Sequence, residues 1–511
     1  MRLLGIAILF LLLFAGSAGA VSASSVDIRE LIILGLEKNI GLQVERINIP
    51  LSSEEIKVEA AVFDSELFAT AGYEQSSVPQ SLSTSQADSY DSDQLVGQFG
   101  LRKGYESGLS AAVSLGSERL EALEPRYRTA LLLDLSQPLL RNFGSAVNTT
   151  QLQLSRNQLK QARYTYFLQA QSLALQVETL ALQFSRDLEV VKLRRQAVQL
   201  AEKLYAANQR RLEAGVIPIS EVQEAETDLA NRELNLSLAL QAQELSLEQL
   251  NRYLDYSLPA DYSSRAAVSV AAITPAKVEP DLPEFEQLFS AAREQRLDLK
   301  ISAIDIDNSS LQSRYAANQQ LPQFDLKLQG GLNGLSGDSR STTTASDYAG
   351  SWGDSFSSMS AADGYQWRAG FEFTLPLDNQ AAKARFRQAK LRERQATYRK
   401  RDLEAALKQE LQQQQTVLQR AAEQFGIASR FEALAEKSFQ QEQRRLEEGL
   451  SDTFRIILFQ TNMINAKIDR ITALTQYQLA VAKMNFSRGI ILEQHGITIL
   501  ADAEEAPLET L

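Results

Sequence analysis

The fold is decided by residues 145–214, which read SAVNTTQLQLSRNQLKQARYTYFLQAQSLALQVETLALQFSRDLEVVKLRRQAVQLAEKLYAANQRRLEA. This stretch contains neither glycine nor proline. Its apolar residues recur at the three-and-four spacing of a coiled-coil seam, at Leu173, Val177, Leu180, Phe184, Leu188, Val191, Val198, Ala201 and Tyr205. The pattern predicts one helix of about 65 residues, which is roughly 100 Å long. Helices of globular proteins average about a dozen residues, so a long helical bundle is expected.

Two helical hairpins follow from this pattern. One spans residues 145–253 with its tip at 215–220, and the other spans 381–486 with its tip at 449–452. Glycine is typical where a helix ends, and small polar residues are typical where one begins. The tips accordingly hold the predicted C-caps Gly215 and Gly449, the predicted N-cap Ser220 and, at the second tip, either Ser451 or Asp452 as the predicted N-cap. Gly426 is expected to disturb the second hairpin locally.

The chain repeats one plan twice. Arg211-Leu212-Glu213-Ala214-Gly215 recurs as Arg445-Leu446-Glu447-Glu448-Gly449, and Leu135–Leu139 has a counterpart in Phe373–Leu377. Matching landmarks that keep their order indicate an internal repeat. The sequence therefore predicts two structural repeats, at 21–255 and 284–490. A proline-marked linker at 256–283 joins them, and a C-terminal tail follows at 491–511.

Each repeat also contains two-residue alternation of apolar and polar side chains, which is typical of strands with two different faces. The alternating runs are 63–74 and 127–137 in the first repeat, and 323–333 and 366–376 in the second. Such lengths suit a bilayer crossing at a tilt of about 45°. Residues 94–116 also alternate, and the pattern does not decide whether they form an additional hairpin. Candidate aromatic residues for the membrane interface, with simple packing as the alternative, are Tyr73, Tyr127, Trp352 and Trp367.

Four strands per chain cannot close a membrane sheet, because an open edge would leave backbone groups unpaired in lipid. Three copies of four strands would give twelve, and six strands per chain would give eighteen. The fold class expected is mainly α with membrane β. It is a trimeric 12-stranded β-barrel continued by a long periplasmic α-helical coiled-coil barrel, with two structural repeats per chain. A dimer is the alternative.

Composition excludes most enzyme chemistry. The chain has no cysteine and a single histidine, His495, so thiol nucleophiles, histidine triads and zinc clusters are excluded and only an all-carboxylate site stays open. No glycine-rich phosphate loop followed by lysine is present. The net charge of -12 argues against nucleic acid as a partner. We therefore expect no catalytic residues, no cofactor and no metal.

The N-terminus predicts export from the cytoplasm. Arg2 precedes an apolar core of about a dozen residues and a run of small residues that ends at Ala20. The core is shorter than the roughly 20 residues that a membrane-spanning helix needs. We expect a signal peptide at residues 1–20, with cleavage after Ala20 or Ala23. No later stretch approaches about 18 consecutive apolar residues, so a membrane crossing would use strands.

Together these features resemble the outer membrane efflux protein family, the TolC-like trimeric channels of Gram-negative bacteria. The resemblance rests on two repeats that each combine two strands, a Pro-Leu exit, a very long helix and an Arg-Leu-x-x-Gly turn. It implies a homotrimer in outer membrane lipid with a large periplasmic portion. The implied function is a passive exit duct, for small molecules or proteins, of a tripartite efflux or type I secretion system. The implied partners are a periplasmic adaptor (membrane fusion) protein and an RND-type or ABC-type inner membrane pump.

The same resemblance implies that the hairpin tips dock the adaptor. In this sequence the docking residues are Gly215, Val216, Ile217, Ser220, Glu221, Gly449, Leu450, Ser451 and Asp452. Simple helix capping is the alternative, and both roles can hold together. The family places an acidic ring past the second tip glycine, whereas this chain has Arg455 and Leu458 there. We therefore expect Arg455 to pair with Glu221 as a periplasmic gate, a solvated Arg455 being the alternative.

The runner-up function belongs to a different class. A structural or adhesive coiled-coil stalk of the cell envelope would also have long helices, with its alternating segments folded as a soluble cap. Extraction separates the two hypotheses, because carbonate releases a stalk whereas a membrane channel requires detergent.

Overall fold

The computed structural model describes residues 28–79, 89–121, 126–256, 283–337 and 349–498. The predicted signal peptide at 1–20 and its two cleavage sites lie outside the described residues. So do nearly all of the linker predicted at 256–283 and the part of the C-terminal tail beyond residue 498.

The chain divides into two compact units. The first, called the helical unit, comprises the described parts of Met1–Glu45, Tyr166–Leu297 and Glu404–Leu511. The second, called the sheet unit, comprises the described parts of Arg46–Thr165 and Asp298–Leu403.

Helices make up most of the described chain. In order they are α1 (Ile28–Lys38), α2 (Ile40–Ala60), α3 (Ser145–Asn148), α4 (Thr150–Glu213), α5 (Ile219–Tyr253), α6 (Phe285–Gln295), α7 (Leu297–Asn318), α8 (Trp352–Ser360), α9 (Gln380–Glu447), α10 (Thr453–Ser487) and α11 (Ile491–Gln494). The long helices α4 and α9 have 64 and 68 residues, and each is followed by a helix of 35 residues. At 1.5 Å per residue α4 is about 95 Å long. Within the described residues, no helix combines the length and apolarity that a membrane crossing requires.

Two details of the helices differ from the expectation. The first long helix does not run unbroken from Ser145, because Thr149 departs from helical geometry with φ −92° and ψ 11° and separates α3 from α4. The Thr149 hydroxyl donates to the Ser145 carbonyl at 2.7 Å, a local bond that competes with regular helix geometry. The irregularity expected at Gly426 is absent, since α9 is continuous through this residue. A single glycine costs a helix only about 1 kcal/mol, which 68 residues of helix absorb.

The core of the helical unit forms along α4. Ala170, Ala174, Val177, Ala181 and Phe184 are completely buried there, and together with Leu31, Ile32, Leu250 and Leu254 they make one apolar cluster. Small residues at helical spacing let neighbouring helices approach closely. The predicted seam is confirmed: of its nine positions only Tyr205 is not buried.

The sheet unit contains one antiparallel sheet in which neighbours along the chain are neighbours in space. Its strands are β1 (Ser65–Pro79), β2 (Ser89–Gly104), β3 (Ser110–Glu121), β4 (Arg126–Pro138), β5 (Gln323–Gly337) and β6 (Gly364–Thr374). The prediction of four strands per chain is wrong, because β2 and β3 form an additional hairpin. The count of twelve strands in a trimer assumed four strands per chain and therefore does not hold.

Glycines explain why the alternation of β2 was weak. Gly97, Gly100 and Gly104 occupy positions where a longer side chain would have marked a face. At Gly100 a Cβ atom would lie 2.7 Å from the Phe68 ring of β1 and 2.7 Å from the Val113 carbonyl oxygen. Glycine is thus required by close packing, and the pattern loses an apolar or polar mark at that position.

Strand register separates the sheet into an apolar face and a polar face. One row of directly paired positions on the apolar face is Leu67, Leu101, Val113, Leu133, Gly330 and Trp367. The side chains of Leu67 and Trp367 are 63% and 76% exposed. A soluble sheet would bury such side chains against a second layer.

Candidate functional site

The two hairpin tips share one turn geometry. Gly215 and Gly449 adopt φ of 70° and 76°, which glycine reaches without strain. The amide of Gly215 donates to the Leu212 carbonyl at 2.8 Å, and the amide of the next residue, Val216, donates to Arg211 at 2.8 Å. The corresponding bonds at the second tip measure 3.1 and 2.7 Å. Both helices therefore end in a Schellman motif, which gives the two tips the same shape.

The returning helices begin differently at the two tips. Asp452 caps α10, because its Oδ1 accepts from the Arg455 amide at 2.8 Å. At the first tip the N-cap is Pro218, with extended backbone and no side-chain cap, so Ser220 lies inside α5 rather than at its cap. The predicted N-cap at Ser220 is wrong, since the extended backbone at Pro218 starts the helix at Ile219.

A buried polar cluster joins the two hairpins beside the tips. The Asn208 amide on α4 donates to the Thr453 hydroxyl on α10 at 2.9 Å and to the Glu221 carbonyl on α5 at 3.2 Å. The Thr453 hydroxyl in turn donates to the Glu221 carboxylate at 2.7 Å. Asn208 and Thr453 are almost completely buried. Because buried polar groups are costly when unpaired, this cluster fixes the first tip relative to the second.

The second tip contains a further buried carboxylate. Glu442 is 4% exposed and accepts a short hydrogen bond from the Ser451 hydroxyl. The Arg445 guanidinium lies 3.6 Å from the same carboxylate and donates to the Leu450 carbonyl at 3.5 Å. The arginine of the second Arg-Leu-x-x-Gly motif therefore contacts the turn that follows it.

The ion pair expected between Arg455 and Glu221 is absent. Arg455 instead lies 3.9 Å from Asp452, with both side chains more than half exposed, while Glu221 is bonded to Thr453. Residues two apart on a helix point to nearly opposite sides. Because Thr453 faces α4 and α5, Arg455 on the same helix faces away from Glu221.

Four apolar side chains project into solvent at the tips. Val216, Ile219, Leu450 and Phe454 are 67, 62, 64 and 63% exposed. Val216 and Leu450 belong to the predicted docking set, whereas Ile219 and Phe454 were missed. Ile219 lies between the predicted positions Ile217 and Ser220, and Phe454 lies two residues after the predicted position Asp452, so proximity to the tips was the available signal. Exposed apolar groups on rigid turns form a surface suited to a protein partner.

The polar face of the sheet forms a second candidate site. Directly paired positions across all six strands make one polar row, Glu66, Arg102, Ala112, Asp134, Gln329 and Arg368. Arg102 donates to both carboxylate oxygens of Glu66 at 2.8 and 2.7 Å. Gln329 donates to Asp134 at 2.7 Å.

This row lines a cavity of about 590 Å³. Its charged lining residues are Asp64, Glu66, Arg102, Lys103, Asp134, Lys327 and Arg368. Lys327 pairs with Glu372 on the neighbouring strand. Arg368 also lines the cavity, and within the described part of the sheet it forms no ion pair with a carboxylate. The described lining therefore combines both signs of charge on one face of the sheet.

In the part of the chain that the structure describes, no group of three or more histidine, aspartate or glutamate side chains is placed to hold a metal ion. His495 contacts Glu178 at 3.0 Å between their side chains, and both are largely buried. The single histidine of the chain thus packs against a carboxylate inside the helical unit.

Comparison with known proteins places this geometry in a family context. Residues 288–489 match the family model described as OEP, outer membrane efflux protein. No curated protein matches the sequence.

Solved structures with a similar fold include outer membrane channels and an outer membrane protein. The Campylobacter jejuni CmeC channel superposes with a TM-score of 0.64 at 15% identity, over 91% of this chain and 86% of CmeC. VceC of Vibrio cholerae gives 0.61 at 13% identity over 90% and 96% of the two chains. The open state of Neisseria gonorrhoeae MtrE gives 0.60 at 15% identity over 93% and 94%. At such identities the likeness shows a common fold.

Proposed function

We propose, starting from the match of residues 288–489 to the outer membrane efflux protein family model, that this protein is the outer membrane exit channel of a tripartite efflux system. As proposed, it is a channel protein and not an enzyme, which is also what the sequence leads us to expect. In this proposal the chain conducts small molecules passively from the periplasm to the exterior of a Gram-negative cell. An inner membrane pump of RND or ABC type supplies the energy, and a periplasmic adaptor connects the two.

The observation that carries the proposal is the two-faced sheet. One face exposes leucine, phenylalanine and tryptophan side chains, and the other carries the row from Glu66 to Arg368. Lipid against the first face and water against the second would satisfy both. The polar face would then line the conducting path, with mixed charge rather than one sign.

A homotrimer is part of the proposal. The sheet of each chain has β1 and β6 at its edges, and unpaired strand edges are not tolerated in lipid. Three copies of the six-stranded sheet would supply eighteen strands, which is within the range of closed membrane sheets. In the helical unit, Leu234, Leu238 and Leu245 form an exposed stripe along α5, which a neighbouring copy would cover.

The adaptor is proposed to dock at the tips, at Gly215, Val216, Ile217, Ser220, Glu221, Gly449, Leu450, Ser451 and Asp452. The shared Schellman geometry and the exposed Val216 and Leu450 support this role. Capping and docking are compatible, because the glycines set the shape that presents the apolar side chains.

Ion conduction through the purified protein tests the proposal. In a planar bilayer we expect unitary conductance steps with a selectivity that depends on Arg368. Replacing Arg368 by Glu should shift the reversal potential in a salt gradient toward cations, and Arg368→Gln should give a smaller shift in the same direction. Failure of the wild-type protein to conduct ions would contradict the proposal that it is a passive channel. Conduction with identical reversal potentials in all three proteins contradicts the assignment of the polar face to the path.

A further inference from the structure

The short helix α8 lies on the apolar face of the sheet. Its first turn is fixed by a capping box, in which Ser351 and Asp354 bond to each other's backbone amides. Trp352 and Phe356 pack edge to face on it, with ring centroids 5.2 Å apart. The helix lies between β5 and β6 in the chain.

Three hydroxyl-bearing residues of the sheet are bonded by this helix. The Thr129 and Ser355 hydroxyls are 2.8 Å apart, and both residues are completely buried. The Ser336 hydroxyl donates to the Ser351 carbonyl at 2.7 Å, and the Trp352 indole N–H donates to the Ser117 hydroxyl at 2.7 Å. Without α8, polar groups would be exposed on a face that is otherwise apolar, at a cost of about 1–3 kcal/mol each.

Gly334 on β5 is the position where the sheet and α8 come closest together. A Cβ atom there would lie 2.6 Å from the Met359 backbone nitrogen and still closer to the Ser355 carbonyl oxygen. Both obstacles are backbone atoms, so neither can rotate away. Gly330, four residues earlier on the same strand and face, has open space at its Cβ position.

Strand register shows that α8 lies where the apolar rows on this face of the sheet end. Thr129 is paired with Ser117 and Gly334. Toward Pro138 the next row on this face is Leu115, Leu131 and Leu332, whereas in the other direction it is Arg119, Tyr127 and Ser336. The Arg119 guanidinium lies 5.8 Å from the Tyr127 ring centroid. On this face, leucines therefore lie on one side of the Thr129 row, and arginine, tyrosine and serine lie on the other side. Such a change is expected at the boundary between the hydrocarbon core and the headgroup region of a bilayer.

Trp352 itself is 53% exposed, although its indole N–H is already bonded to Ser117. Its exposed surface is therefore the apolar part of the ring. A tryptophan with its polar atom satisfied by the protein and its ring facing outward is suited to the membrane interface.

We infer that α8 is an interfacial helix, which covers the hydroxyl-lined notch at Gly334 and rests Trp352 on the lipid surface at headgroup level. The inference rests on the proposed function, because it requires the apolar face to contact lipid. Its partner is the bilayer itself.

The chain has only two tryptophans, so two single substitutions provide the test. The Trp367→Phe protein reports on Trp352 alone, and the Trp352→Phe protein reports on Trp367 alone. Each is reconstituted in phosphatidylcholine vesicles with bromine near the headgroup end or near the methyl end of the acyl chains. We expect brominated lipid to quench both tryptophans. Trp352 should be quenched more by bromine near the headgroups and shielded from aqueous acrylamide.

The outcomes separate the two proposals. Lipid quenching of Trp367 combined with full acrylamide access and no lipid quenching of Trp352 overturns the inference about α8 and leaves the membrane sheet intact. Absence of lipid quenching at both positions overturns the membrane assignment on which the proposed function rests. Quenching of Trp352 only from the methyl end also overturns the inference, because the helix would then lie in hydrocarbon.

A glycine pair provides the matched control. In the Trp367→Phe background, Gly334→Ala should displace α8 and raise acrylamide quenching of Trp352. Gly330→Ala, on the same strand and face, should leave the quenching unchanged. Equal quenching in both variants would overturn the role of the notch. If Gly334→Ala does not assemble, the lipid quenching of the parent protein still decides the inference.

Discussion

Two glycines of the second hairpin have the same open surroundings but opposite backbone conformations. A Cβ atom at either Gly426 or Gly449 would meet nothing within 4 Å. Gly426 lies inside α9, where glycine is the weaker helix former, whereas Gly449 holds φ of 76°. Because a new Cβ atom would meet no neighbour at either position, substitution by alanine measures how the backbone conformation alone affects the free energy of unfolding.

We expect Gly449→Ala to lower the free energy of unfolding by about 1–2 kcal/mol, because alanine is strained in the left-handed region. Gly426→Ala should raise it by about 0.5–1 kcal/mol. Urea unfolding in detergent, followed by circular dichroism, measures both. Destabilisation by Gly426→Ala would show that this glycine has a packing role in the assembly.

At the same scale, the tips show what sequence could and could not predict. Gly215 and Gly449 were predictable as C-caps, since capping depends on residues adjacent in the chain. The partners of Glu221 and Arg455 were not, because they depend on which side of α10 faces α4 and α5. Two residues that are two positions apart on a helix face nearly opposite directions. The apolar pattern of α10 does not determine, to within one residue, which positions face α4 and α5.

Among the elements, α5 carries a buried ion pair. Arg232 donates to Asp228 one turn earlier at 2.6 Å, with side chains only 7% and 9% exposed. The second terminal nitrogen of Arg232 is buried and has no partner among the described residues. Burial lowers the pKa of the neighbouring Arg194 guanidinium, and the positive charge of Arg232 lowers it further. Asp228 therefore compensates the positive charges of Arg232 and Arg194, which lie close together.

We expect Asp228→Asn to destabilise the protein by about 3–5 kcal/mol, since it leaves a buried guanidinium without its counter-charge. The double substitution Asp228→Leu with Arg232→Met should be nearly neutral. Glu423→Gln, at the exposed pair with Arg420, is the control and should cost less than about 1 kcal/mol. Thermal denaturation of the three variants in detergent gives the comparison. A mild effect of Asp228→Asn would mean that another carboxylate reaches Arg232 in the assembled protein.

Elements differed in how clearly the sequence predicted them. Long helices were predictable because 64 residues without glycine or proline allow few alternatives. The hairpin of β2 and β3 was left open, since close packing at Gly100 removes a side chain from the alternating pattern. Helix α8 was missed because its nine residues include four serines and a glycine. It is stabilised by tertiary bonds to β3, β4 and β5, which no local pattern reveals.

For the whole molecule, the proposed partner contacts are the tips. Val216→Glu and Leu450→Glu should abolish drug efflux in cells that lack their own channel, because a buried charge at an apolar interface is unfavourable. Val216→Thr keeps the shape of the side chain without adding charge and should retain efflux. Conductance of the purified glutamate variants should equal that of the wild type. Normal efflux by both would contradict docking at the tips, and lost conductance would indicate a folding defect.

The free edges of the sheet have a consequence for biogenesis. A subunit that has not yet joined the proposed trimer carries β1 and β6 with one side of each backbone unpaired, and such edges can template pairing with any extended polypeptide. Exposed aromatic residues on β6, including Tyr365 and Phe371, add to this hazard. In the proposed trimer, pairing of these edges between subunits would therefore compete with aggregation, and shielding the edges before assembly would raise the yield of functional channels.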